Sequence, residues 1–227
     1  MKKDKPKYLN FPISLLQGFM EATQGALANI IDYCIIYEMK VHQRPFDEVR
    51  QDYNMATPSD MEGWLYLATE LFNKTSRNQP RTGLEVKMFW NYYQKEKTNE
   101  EKATLLAFLA IKSIVGFMGW RKLGKQEIIF HRMAGFTDCK SEIPDTIKPF
   151  CTRYKFDSIK KELQAHWGIS FYSNHIRGLY IGTISLQELA LIAERRKLAT
   201  KQKEAGLMAQ QEAARKQALL TLGIDDK

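Results

Sequence analysis

Residues 157–177 read DSIKKELQAHWGISFYSNHIR, and this stretch decides how the second half of the chain is folded. A helix over Phe156 to Trp167 ends at Gly168, and Ser170 is placed to cap a second helix. Leu163, Trp167 and Ile169 fall where a helix–Gly–helix corner buries its apolar side chains. The spacing predicts two helices crossing steeply at Gly168, with Trp167 and Ile169 inside. Asn174 departs from that pattern, because it stands where the second helix would need a buried aliphatic residue. Beyond it, residues 178–184 (GLYIGTI) have the β-branched content of a short strand.

Upstream, residues 125–138 (KQEIIFHRMAGFTD) repeat the layout: a helix, a turn at Gly135, then Thr137 or Asp138 as a cap. Pro144 cuts short any helix that follows. Downstream, Ser185 and Glu188 form a capping box that opens a helix running to about Leu222. Its apolar stripe of Leu186, Leu189, Ala190, Ile192 and Ala193 gives way after Thr200 to Ala, Gln, Lys and Glu.

The first half reads as helices. Residues 13–41 form a helix broken near Gly18 or Gly25, and Leu27, Ile30, Ile31, Cys34, Ile35 and Ile36 make it apolar nearly all round. Phe46 to Tyr53 is a short helix. Ser59 with Glu62, and Thr98 with Glu101, are two further capping boxes. They open helices carrying Trp64 to Phe72 and spanning 99–118. Residues 75–83 (TSRNQPRTG) read as a loop, and Leu84 to Lys95 as a helix whose Phe89, Trp90, Tyr92 and Tyr93 read as core, the alternative being a platform on which single-stranded nucleic-acid bases stack. The expected fold is therefore mainly α. It is a multi-helix globular protein with a helix-turn-helix-like C-terminal part, a short β wing, any sheet confined to about residues 120–184, and a long C-terminal helix. Three segments follow: a helical domain over 1–118, a basic region over 119–199 and a polar helical tail over 200–227.

The Gly168-Ile169-Ser170 turn resembles that of helix-turn-helix DNA-binding proteins, and GLYIGTI falls where a winged helix places its wing. RMAGFTD can be set beside AHWGISF. Two such units in a basic chain resemble the paired winged helices of plasmid replication initiators. The resemblance implies a recognition helix that exposes Ser170, Tyr172, Ser173, Asn174, His175 and Arg177, with Lys160 and Lys161 near phosphate. Arg and Asn read base edges, and Ser and Tyr hold phosphate oxygens.

Charge points the same way. The net charge is +8. Residues 1–111 hold 14 basic and 14 acidic side chains, and residues 112–227 hold 20 and 12, so the entire excess lies in the second half. That asymmetry suggests a polyanionic partner. Three cysteines, Cys34, Cys139 and Cys151, with no C-x-x-C pair, suit a reducing compartment. With no signal-peptide core and no long apolar run, the expectation is a cytoplasmic protein without a membrane segment.

Chemistry is harder to find. His131, Cys139, Cys151 and His166 are metal-ligand types, but their spacing matches no zinc pattern, so neither metal nor cofactor is expected. No nucleophile elbow, dinucleotide fingerprint or P-loop occurs. Asp47-Glu48 and Glu100-Glu101 are adjacent on helices and do not face one another. The expected function is non-enzymatic binding of duplex DNA, as a regulator or replication accessory. The alternative is a protein-interaction subunit docking through its C-terminal helix or an aromatic surface.

Overall fold

The structure, a computed structural model, describes residues 7–174 and 178–221. A helix that is apolar on every side has to be enclosed by other elements. That helix is α1 (Thr23–Val41), in which Leu27, Ile30, Ile31, Tyr33, Cys34, Ile35 and Ile36 are all buried. A 3-10 turn (Ile13–Leu16) precedes it, and the chain breaks at Gly18 as the sequence predicts. Around α1 pack β1 (Tyr8–Pro12), α2 (Phe46–Asp52), α3 (Met61–Lys74) and α4 (Val86–Gln94).

Two findings correct the sequence reading here. First, β1 pairs antiparallel with β2 (Arg81–Glu85), in register from Tyr8↔Glu85 to Pro12↔Arg81, so a sheet lies outside residues 120–184. The strands are five residues each and some seventy residues apart, and Pro12 and Gly83 disguise them. What holds them is burial of Leu9, Phe11, Thr82 and Leu84 together. Second, α3 is capped by Asp60, whose carboxylate accepts from the Gly63 N–H at 3.0 Å, so the Ser59–Glu62 box does not form. The other two boxes do. Thr98 and Glu101 exchange bonds at the start of α5 (Asn99–Val115), and Ser185 and Glu188 do so at the start of α8 (Leu186–Thr221).

The remaining elements are β3 (Trp120–Leu123), α6 (Glu127–Met133), α7 (Arg153–His166), β4 (Ser170–Asn174) and β5 (Gly178–Gly182). The three strands form an antiparallel sheet in the order β3-β5-β4. One continuous core of buried side chains runs from Leu9 to Ile181, with α5 at its centre packing on β2, α6 and α7. The outer face of the three-stranded sheet has its own small cluster, in which Tyr180 meets Leu189 and Ala193 of α8. Past Leu198 the side chains described on α8 are almost all exposed.

The helix expected to start at Ser170 is the largest correction. Ser170–Asn174 is a strand, bonded along its length to Gly178–Gly182. Phe171 packs into the main core while its neighbour Tyr172 packs toward α8. Two adjacent side chains packed, each half-buried, on opposite faces require the two-residue period of a strand. The departure at Asn174 has the same origin, since no second helix exists to need an aliphatic there. Gly168 does terminate a helix. It sits at φ +66°, and the Leu163 carbonyl accepts from both the Trp167 and Ile169 N–H groups, at 3.1 and 3.2 Å. Ile169 is buried, and Trp167 lies against Phe108 with ring centroids 4.9 Å apart.

Candidate nucleic-acid interface

α7 follows from its spacing. Phe156, Ile159 and Leu163 recur on one side and are buried, and Thr152 caps the helix through the Lys155 N–H. The opposite side therefore faces out. A 100° step per residue lines up Tyr154, Ser158, Lys161 and Ala165 along it, and all four are exposed. Tyr154 is 83% exposed. Exposed Arg153 and Gln164 flank that line. Ser158 and Ala165 are small, while Tyr154 projects from the same line and exposed Glu162 borders its other side.

The charges on α7 differ in how far they are committed. Lys160 pairs with Asp157 at 2.5 Å, and its ammonium lies 5.6 Å from the Phe156 ring centre. That pairing holds the Asp157 carboxyl below its ordinary value. Lys155 bonds Glu100 of α5 at 3.1 Å and depresses the Glu100 carboxyl in the same way. Glu162 reaches His166 only at 3.9 Å. Lys161 and Arg153 form no close ion pair among the described residues, although both lie near enough to Asp157 to help depress its carboxyl.

Of the eight residues assigned from sequence, Lys160 and Lys161 lie on α7. Ser170, Tyr172, Ser173 and Asn174 lie on β4, where no recognition helix exists. Tyr172 is half-buried, and its hydroxyl donates to Glu194 of α8 at 3.3 Å, so it serves packing. Ser170 is half-buried opposite Gly182, and Ser173 is exposed. His175 and Arg177 fall outside the described residues, in the three-residue connection between β4 and β5. Sequence reasoning missed Arg153, Tyr154, Ser158 and Gln164. Their signal was available, because the apolar positions Phe156, Ile159 and Leu163 already fix the outward face.

Upstream of α7, α6 ends at Gly135 as the sequence predicts. There φ is +78°, and the Phe136 N–H returns to the His131 carbonyl at 2.9 Å. No helix starts at Thr137 or Asp138. The Asp138 carboxylate instead accepts from the Lys140 and Ser141 N–H groups, which lowers its pKa and closes a turn. The chain reaches α7 through a 3-10 turn at Lys148–Cys151. A cleft opens beside α7, floored by Tyr92, Phe150, Ile159 and Trp167 and crossed by the Lys155–Glu100 pair. Burial pushes the Cys151 thiol up to about 11, far from the thiolate a nucleophile needs. Among the described residues, no group of three His, Cys, Asp or Glu side chains is arranged to hold a metal ion, and no helix is long and apolar enough to cross a membrane.

Comparison with protein-family models, with curated proteins and with solved structures finds no match for this chain.

Proposed function

We propose that the second half of the chain binds duplex DNA without catalysing a reaction, with α7 as the helix that enters the major groove and the β4–β5 hairpin as a wing beside it. The observation that carries this reading is the element order. From α5 onward the chain runs helix, strand, helix, helix, strand, strand, and the sheet order is first, third, second. That order resembles a winged helix, in which the helix before the hairpin reads the groove. The resemblance drawn from sequence is kept, but its frame moves one element upstream. The helix that ends at Gly168 takes the place given to the one expected after it. The position of the net positive charge supports the same half of the molecule.

A fluorescence anisotropy titration with random-sequence duplex, repeated across a salt series, tests the reading. Lys161→Ala should weaken binding to all sequences alike and lower the salt slope by about one unit, as loss of one phosphate contact does. Absence of binding at micromolar protein and about 50 mM salt, where even non-specific binders associate, overturns it. A second reading has one observation in its favour. Leu198, Leu207 and Met208 are exposed on the projecting part of α8, as a helix that docks on a protein partner would present them. Such docking depends on apolar area and responds weakly to salt.

A further inference from the structure

We propose that the cleft between β3 and α8 is a second surface for the sugar-phosphate backbone of DNA, continuous with the flank of the β4–β5 hairpin. This rests on the DNA-binding reading and adds a contact region that α7 does not supply. The cleft has a volume of about 530 Å³ and is lined by Lys122, Tyr180, Arg196, Lys197, Thr200 and Lys203.

Three features make it more than a solvated basic helix face. First, its cations come from two elements that the fold brings together. Lys122 stands on β3 in register with Tyr180 of β5, and α8 lies across the same face of the sheet. Second, most of that charge is uncommitted. Lys197 bonds Glu194 at 3.3 Å, while Lys122, Arg196 and Lys203 have no carboxylate partner among the described residues. A concave site with several unpaired cations concentrates positive potential and attracts a polyanion. Third, Arg196 is held in place. Its guanidinium lies 5.2 Å from the centre of the Trp120 ring, so less side-chain freedom is lost when it binds an oxyanion.

Position argues for DNA backbone over a free anion. A Cβ built on Gly178, the first residue of β5, would lie 3.5 Å from the Lys122 side chain. Gly178 pairs with Asn174 at the end of the hairpin next to its connection, so the cleft begins toward that end of the hairpin and its lining continues along α8 to Lys203. An elongated row of cations beginning at the wing suits a chain of phosphates better than one ion. The phenol of Tyr180 is buried at its floor, so the cleft offers no open aromatic face for stacking a base.

The test uses the full-length protein and a random-sequence duplex in the anisotropy salt series. The triple variant Lys122→Gln/Arg196→Gln/Lys203→Gln should lower the salt slope by roughly two to three units, since each lost phosphate contact removes about 0.9. The double variant Lys122→Gln/Lys203→Gln spares the Trp120 stack and should lower it by roughly two. Lys87→Gln, at an exposed position on α4 in the uncharged half, should leave the slope unchanged. If wild type binds and the double variant keeps its slope, the cleft proposal fails while the α7 reading stands. If Lys87→Gln has an equal effect, the cleft is no distinct contact and the proposal also fails. If wild type binds no duplex, both readings fail together. Inorganic polyphosphate serves as competitor. Displacement of duplex from wild type but not from the double variant supports the cleft, and equal displacement from both opposes it.

Discussion

Gly135 and Gly168 both end helices in the left-handed region, yet their surroundings differ, and the difference can be measured. A Cβ on Gly168 meets nothing within 4 Å, whereas one on Gly135 falls 2.8 Å from the Gln17 backbone nitrogen and 3.1 Å from the Ile13 carbonyl oxygen. Gly168→Ala should therefore cost only the left-handed strain, about 1–2 kcal/mol. Gly135→Ala adds a clash with backbone that cannot swing aside, so its loss should exceed that of Gly168→Ala in urea unfolding. Equal losses would show that the close approach at Gly135 has no energetic weight. Asp32 provides a pH-dependent case. Burial raises its pKa, and the bond it accepts from Trp64 Nε1 at 2.8 Å offsets this only in part. A carboxyl with a folded pKa above its unfolded value binds protons more tightly when folded. It therefore destabilises the native state above that pKa and relaxes as pH falls through it. Asp32→Asn keeps an acceptor for Trp64 and removes the buried charge, so it should raise the urea midpoint at pH 7. That gain should shrink as the pH is lowered toward the ordinary carboxylate range. A gain independent of pH would mean that burial of the charge is not the cause.

At the scale of elements, α8 has two parts with different physics. Its first three turns bury Leu189 and Ala193 against the sheet, whereas beyond Leu198 the described side chains face water almost without exception. A polar helix without a neighbour adds little to global stability. Truncation after Thr200 should shift the melting temperature by no more than about 2 °C, the lower end of what a change of about 1 kcal/mol produces in a chain of this size. A larger drop would mean that the tail packs on another copy. The same truncation removes Lys203 and so should also flatten the salt dependence of DNA binding. The capping boxes give a contrasting expectation. Thr98→Ala deletes a complete box at the start of α5, the helix at the centre of the core. It should cost about 1 kcal/mol in urea unfolding.

For the molecule as a whole, α5 lies at the middle of one continuous core that joins the electrically neutral half to the basic one. Tryptophan fluorescence and far-ultraviolet circular dichroism should therefore report a single coincident urea transition. Trp64 and Trp90 lie in the first half and Trp120 and Trp167 in the second, so two separable transitions would show up between probes and end that expectation.

The sequence by itself determined the helical class, the buried α1, the boxes at Thr98 and Ser185, the left-handed stops at Gly135 and Gly168, and the placement of charge. Each of these is local. A cap needs residues three apart, an amphipathic face repeats within one turn, and net charge is a count. Tertiary structure alone decided the strands. Tyr8–Pro12 gains its partner only when Arg81–Glu85 arrives across a helical half-domain. Ser170–Asn174 reads equally well as the start of a capped helix until β5 offers its backbone bonds and α8 and the main core divide Tyr172 from Phe171. A five-residue segment carries too few periods to tell 2.0 from 3.6, so its state is set by what lies on either side of it. The candidate site moved for the same reason. Lys161 was legible as a candidate phosphate contact from its charge, but the outward line through Tyr154, Ser158 and Ala165 became a single face only once the core had claimed Phe156, Ile159 and Leu163.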